Sequence, residues 1–181
     1  MTNDNENRPI SILMLEANPA DAQLVQHQLS KSNLDLHIRV VSNAKDFQQA
    51  LESACDIVLA DDNLPQYNAS GSLKYLQEKN IDIPFIIVSG SIGEELAVEI
   101  MRQGETDYLL KDRLGRLGTA VKKAREEQLQ KAKRQQLEEA YRDSEKRYHS
   151  MFHNNLTVML FLDPENGDII DANPAAEHFY G

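Results

Sequence analysis

Asp56-Ile57-Val58-Leu59-Ala60-Asp61-Asp62-Asn63-Leu64-Pro65 decides the fold. The apolar run Ile57 to Ala60 reads as a buried strand that surfaces into a loop at Asp61, and in an open α/β sheet the carboxyl ends of strands carry the chemistry. A carboxylate therefore stands where such a sheet places its functional groups. Two later strand ends add a hydroxyl, Ser89 after Pro84-Phe85-Ile86-Ile87-Val88, and an amine, Lys111 after Tyr108-Leu109-Leu110.

Outward from this stretch, short apolar runs alternate with helix-length amphipathic stretches between Ile10 and Leu110, the pattern of repeated βα units around a parallel sheet. Strands are predicted at Ile10 to Leu15, Leu36 to Val41, Asp56 to Ala60, Phe85 to Val88 and Asp107 to Leu110. Helices are predicted near Ala20 to Lys31, Ala44 to Ser53, Ser70 to Glu78, Glu94 to Gln103 and from Leu114 onward. Asn18-Pro19, Ser42-Asn43 and Ser91-Ile92-Gly93-Glu94 supply helix starts. Right-handed crossovers then give an α/β sandwich with helices on both faces of a five-stranded parallel sheet.

The chain has 181 residues, enough for one ordinary domain and part of another, with a formal net charge of −10. That charge argues against nucleic-acid or anionic-membrane binding, and Lys122, Lys123 and Arg125 are interleaved with Glu126 and Glu127. An acidic pocket recruiting a divalent cation fits better. The one cysteine, Cys55, excludes an internal disulfide, suits a reducing, cytoplasmic setting and reads as a small packing residue. Residues 1–9 are polar and read as a disordered lead rather than a signal peptide. No segment reaches the roughly 18 apolar residues of a membrane span. His27, His37, His149, His153 and His178 show no metal-ligand spacing, although His149 and His153 lie four apart.

After Leu114 the composition changes to Ala, Glu, Gln, Lys and Arg, without proline from Leu117 to Ser150, which predicts one long helix. Leu117, Val121 and Ala124, then Leu137, Tyr141, Ser144, Tyr148 and Met151, follow seven-residue spacings that are out of register with each other. Two readings stand, a solvated connector and a parallel coiled coil that makes a homodimer. From Leu156 the pattern predicts a β-hairpin, Thr157 to Leu162 and Asp168 to Ala172, turning at Asp163-Pro164-Glu165-Asn166-Gly167, and then a helix from Ala175. A hairpin and a short helix cannot bury a core alone, so this unit is expected to be incomplete.

The region from Ile10 to about Ala124 resembles the response-regulator receiver family, on Asp61 four residues before Pro65, Ser89-Gly90 after the fourth strand, Tyr108 in the fifth and Lys111 three residues later. The resemblance implies a flavodoxin-like fold with strand order 2-1-3-4-5. It makes Asp61 the phosphoacceptor for a partner histidine kinase or phosphotransfer protein, and Glu16, Asp61 and the carbonyl of Asn63 the holders of Mg²⁺. Ser89 and Lys111 become the catalytic partners of the phosphoryl oxygens, and Ser89 with Tyr108 the switch. One departure stands out. Receivers usually end the first strand with two adjacent acids, and here the pair is Glu16-Ala17, which leaves Asp62 or Asp21 as fallback oxygen donors. A pseudo-receiver that acts only in interaction or dimerisation is the alternative. An unrelated flavodoxin-like phosphate binder fits poorly, because Glu16-Ala17-Asn18-Pro19 would repel an anion.

Ser144 to Gly181 resembles the opening of a PAS sensor domain, through Tyr148, Phe152, the strand to Leu162 and Ala172-Asn173-Pro174-Ala175-Ala176. The expected organisation is a lead at 1–9, a receiver at 10–124, a helical linker at 125–150 and the start of a PAS domain at 151–181. Such a chain is a regulatory module serving a downstream output domain, not itself a complete enzyme, and its parent would be a histidine kinase or a cyclic-dinucleotide enzyme.

Overall fold

The computed structural model describes residues 8–62, 64, 67, 69–90 and 106–181. The predicted lead up to residue 7, Asn63, Pro65 and the helix expected at Glu94 to Gln103 lie outside the described residues. The chain divides into two compact units, one up to Leu129 and one from Gln130 to Gly181.

In the first unit, β1 (Ile10–Leu15), β2 (Leu36–Val41), β3 (Ile57–Ala60), β4 (Phe85–Ser89) and β5 (Thr106–Leu110) form one parallel sheet in the order β2-β1-β3-β4-β5. The helices are α1 (Pro19–Ser30), α2 (Ala44–Ala50), α3 (Ala69–Glu78) and the start of α4 (Leu117–His153), which a 3₁₀ stretch at Lys111–Arg116 precedes. The five-stranded parallel, flavodoxin-like sandwich expected from the sequence is therefore present.

Strand side chains alternate between faces, so each buried strand feeds two cores. Ile12, Met14, Ile57, Leu59, Ile86 and Val88 pack with Val25 and Leu29 of α1 and Leu117 and Val121 of α4. Leu13, Leu15, Val58, Ala60, Phe85 and Ile87 pack with Phe47 of α2 and Leu76 of α3. Gly118 sits where α4 meets the end of α1: a Cβ there would lie 2.5 Å from Ser32 Cβ, so a side chain would push the two elements apart.

Local signals explain the element ends. Asn18 and Asn43 cap α1 and α2, accepting hydrogen bonds from the amides of Ala20 and Asp46. The second helix is shorter than the Ala44 to Ser53 predicted, because the amides of Glu52 and Ser53 bond three residues back, to Gln49 and Ala50, and tighten the last turn out of the α form. Likewise the stretch from Leu114 begins as 3₁₀ and becomes α-helical only at Leu117. Cys55 is partly buried, donates its thiol to the carbonyl of Ile57 and has its pKa raised by burial, which suits a packing role.

At the amino end of β3, buried Asp56 gathers two guanidinium groups and an amide. Arg8 donates to it through two nitrogens at 2.9 and 2.6 Å, the amide of Ser11 at 2.9 Å, and Arg125 of α4 completes the set. This cluster ties the chain before β1 and the helix α4 to the start of the central strands.

In the second unit, β6 (Leu160–Leu162) and β7 (Ile169–Ala172) pair antiparallel, and α5 (Pro174–Tyr180) follows. The first strand is half the predicted length. The Asn173 side chain explains this: it accepts from the amide of Met159 at 3.0 Å and donates to the carbonyl of Thr157 at 2.9 Å, taking groups a longer ladder would use. The same carboxamide caps α5 by accepting from the amide of Ala176. Phe152 is buried against Tyr148 and Phe161, with ring centroids 5.6 and 5.2 Å away. Leu156, Leu162, Ile169, Ile170 and Phe179 are exposed, as expected of a hairpin unit with little core.

Replacing Asp56 by Ala strips two guanidiniums of their shared anion, and breaking a buried ion pair typically costs about 3–5 kcal/mol. Urea unfolding followed by far-UV circular dichroism should show a loss of that order, whereas Arg134→Ala, on an exposed part of α4, should change stability by less than about 1 kcal/mol.

Candidate functional site

The parallel register sets the carboxyl ends of the strands side by side: Leu15 is paired with Ala60, Ala60 with Ile87, and Ser89 with Leu110. The residues that follow, Glu16, Asp61 and Lys111, emerge together at this edge. The amides of Glu16 and Asp61 still bond to the carbonyls of Val41 and Leu15, so the backbone beneath both carboxylates is held by the sheet.

The Lys111 ammonium is the meeting point. It donates to Asp21 Oδ2 at 2.6 Å, Glu16 Oε2 at 2.7 Å and Asp61 Oδ2 at 3.0 Å. Glu16 and Asp61 are buried, while Asp21 keeps about a third of its side chain exposed. A pocket of about 430 Å³, lined by Glu16, Ala17, Asn18, Asp21, Asp61, Leu64, Gly90 and Lys111, opens onto the cluster.

Electrostatics follows from the count of three carboxylates against one ammonium. Burial opposes the charge on Lys111, but hydrogen bonds to Asp21, Glu16 and Asp61 outweigh it and raise the lysine pKa, so the amine stays protonated. Glu16 is raised as well: burial is the main cause, the hydrogen bonds from Lys111 and Asn18 oppose it, and the charge of Asp61 adds to it. Asp62 is raised by burial and by neighbouring Asp61.

The arrangement fits a hard divalent cation. One carboxylate oxygen from each of Glu16, Asp21 and Asp61 lies within 4.8 Å of the others, and an all-oxygen donor set with surplus negative charge is what Mg²⁺ takes. Asn63 lies outside the described residues. Ser89 is fully buried at the end of β4, and Tyr108 is partly buried in β5 against the core that holds Phe47 and Leu76. The sequence offers Asp21 only as a fallback, yet the structure sets it beside Lys111. Its signal was its place in the first turn of α1, three residues after the Asn18 cap and thus on the strand-end side. His149 and His153 face each other with ring centroids 4.2 Å apart, but among the described residues no third metal-ligating side chain joins them.

A carboxyl group whose pKa is raised in the folded state favours folding when protonated. Glu16 therefore costs no stability below its unfolded value near 4.5 and a growing amount as the pH rises through its raised folded value. Glu16→Gln, measured in chelator, should leave the melting temperature unchanged below about pH 4.5 and raise it increasingly above that. A melting difference that does not vary with pH would remove the charge surplus as the explanation.

The family model of the response regulator receiver domain matches residues 12–122, and a PAS domain model matches residues 146–181. Among curated relatives, the nitrate/nitrite response regulator protein NarL of Escherichia coli K12 is 32% identical over 108 residues, covering 58% of this chain and 49% of NarL. The regulatory protein LuxO of Vibrio cholerae is 30% identical over 117 residues, covering 61% of this chain and 25% of LuxO. The chain thus spans half or less of these relatives. Among solved structures, the signal receiver domain of an HD domain-containing protein from Pseudomonas fluorescens Pf-5 superposes with a TM-score of 0.60 at 25% identity, over 68% of this chain and 99% of that one. The phosphorylated cyanobacterial phytochrome response regulator RcpA superposes with a TM-score of 0.53 at 25% identity, over 64% of this chain and 90% of that one. With the sheet order, the strand-end cluster and the family match over most of the first unit in agreement, the chain belongs to the response regulator receiver domain family and carries a PAS-like segment after it.

Proposed function

We propose that this chain is a phosphoacceptor module of two-component signalling in the cytoplasm, with Asp61 receiving a phosphoryl group from the phosphohistidine of a histidine kinase or phosphotransfer protein. The observation that carries this reading is the Asp61 carboxylate, seated at the end of β3, facing an open pocket and held 3.0 Å from the Lys111 ammonium. RcpA, whose structure is that of a phosphorylated response regulator, lends support by likeness.

In the proposed step an Asp61 carboxylate oxygen attacks phosphorus. The P–N bond breaks, its electron pair returns to the imidazole, and an acyl phosphate remains on Asp61. Lys111 leaves the carboxylates to pair with a phosphoryl oxygen, and the Ser89 hydroxyl donates to another. Glu16, Asp61 and the carbonyl of Asn63 would hold a Mg²⁺, whose charge would let phosphoryl and carboxylate oxygens approach. Movement of Ser89, followed by Tyr108, then alters the face leading into α4. Under the same proposal residues 10–124 are the receiver, after a lead at 1–9. Residues 125–150 are the linker that pairs two copies, and 151–181 open a PAS domain that passes the change toward an output domain.

A second reading is favoured by Ala17, which has no side-chain oxygen for a cation, and by Lys111, which already neutralises part of the acid cluster. In it the chain is a pseudo-receiver that works by interaction alone. Incubation with Mg²⁺ and acetyl phosphate, followed by intact mass, separates the two. The phosphoacceptor reading expects a single phosphoryl adduct that Asp61→Asn abolishes; no adduct in the native chain, with one gained in Ala17→Asp, establishes the pseudo-receiver.

Pairing through α4 rests on Leu137, Tyr141 and Met151, which are exposed at coiled-coil spacing. Sedimentation equilibrium should give a dimer that Leu137→Lys weakens at least tenfold. A monomer at micromolar concentration would leave α4 a solvated connector.

A further inference from the structure

We infer that Asp21, on the first turn of α1, replaces the acid absent at position 17 as a ligand of the divalent cation at Asp61. The inference rests on the receiver reading of that site and assigns to this chain a ligand set of its own.

The argument starts from the corner between β1 and α1. An acid at the third position of a helix ordinarily turns back to the amide of the capping residue, closing a capping box. Here the amide of Asn18, the cap, already donates to Glu16 Oε1 at 2.8 Å, and Asn18 Oδ1 takes the amide of Ala20. Asp21 is thereby released from capping. Its carboxylate points across the pocket instead, reaching Lys111 Nζ at 2.6 Å, the shortest of the three contacts of that ammonium.

Two further observations bear on Asp21 as a ligand. Asp21 Oδ lies in the same 4.8 Å group as the oxygens of Glu16 and Asp61, so the acids meet at one point although they come from a strand end, a helix and another strand end. Ala17 also lines the pocket and brings no side-chain carboxylate to it. Loss of the acid at 17 and the inward aim of Asp21 therefore belong together, because four carboxylates around one ammonium would cost more than three. The partial exposure of Asp21 suits a cation that keeps several of its waters.

Calorimetric titration of the full chain with Mg²⁺, without phosphodonor, tests this. The native chain should bind, and Asp61→Asn should abolish binding. Asp21→Asn should lower affinity at least tenfold, and Ala17→Asp combined with Asp21→Asn should restore it. Each comparison is repeated in a Lys111→Met background, so that an ammonium redistributed onto Glu16 and Asp61 does not pass for a lost ligand. Circular dichroism verifies folding. Unchanged affinity in Asp21→Asn, or a loss that disappears in the Lys111→Met background, would overturn the assignment, as would failure of Ala17→Asp to rescue. Because cation binding is read without phosphoryl transfer, Asp21-dependent binding with no acetyl-phosphate adduct in any variant would sink the phosphoacceptor reading and leave the ligand assignment standing.

Discussion

One ammonium shared among three carboxylates is the interaction on which the functional end of this molecule depends. Bringing Glu16, Asp21 and Asp61 so close is unfavourable without a cation, and Lys111 makes the arrangement tolerable without neutralising it fully. Such a cluster is poor material for stability, since burying charges costs about as much as pairing them returns. The two buried cores hold it together. Perturbed, converging ionisable groups in a pocket mark a functional site more than a structural one.

The contrast with the other end of the same strand sharpens this. Asp56 and Asp61 flank the four residues of β3, and both are buried acids. Asp56 meets two guanidiniums and a backbone amide, an anion more than satisfied, and serves to fix Arg8 and Arg125 in place. Asp61 competes with two other acids for one amine. The balance of partners, not the residue type or its burial, makes one acid a fastener and leaves the other short of positive charge.

Much of the fold was legible because each buried strand is a short apolar run ended by charge or turn residues, and two-sided burial leaves little else for Ile57 to Ala60 or Phe85 to Val88 to become. Glu16, Asp61 and Lys111 could be read as strand-end residues for the same reason. What stayed hidden was set by hydrogen bonds that sequence spacing does not encode. Asp21 looks like an ordinary first-turn acid until the amide of Asn18 is seen to be taken by Glu16. The hairpin looked longer because apolar alternation continues through Thr157 to Met159, yet the Asn173 carboxamide claims that backbone. Asp56 read as the first residue of a strand, with nothing to announce Arg8 or Arg125, some 48 and 69 positions away along the chain.

The long helix α4 shows how a single element can change its source of stability along its length. Up to Ala124 its apolar face is buried in the receiver core, with Leu117 and Val121 wholly enclosed. From Gln130 to Ser150 no residue is buried. There the helix depends on good helix formers and on pairs such as Arg134 and Glu138, 3.4 Å apart, worth only about 0.2–0.5 kcal/mol each. That pair, like Lys122–Glu126 and Lys123–Glu127, places the base first, the weaker order along a helix. A polar helix with so little tertiary support sits near the balance between order and fraying. Leu137 and Tyr141 are exposed on this stretch, so covering them would add the tertiary support it lacks.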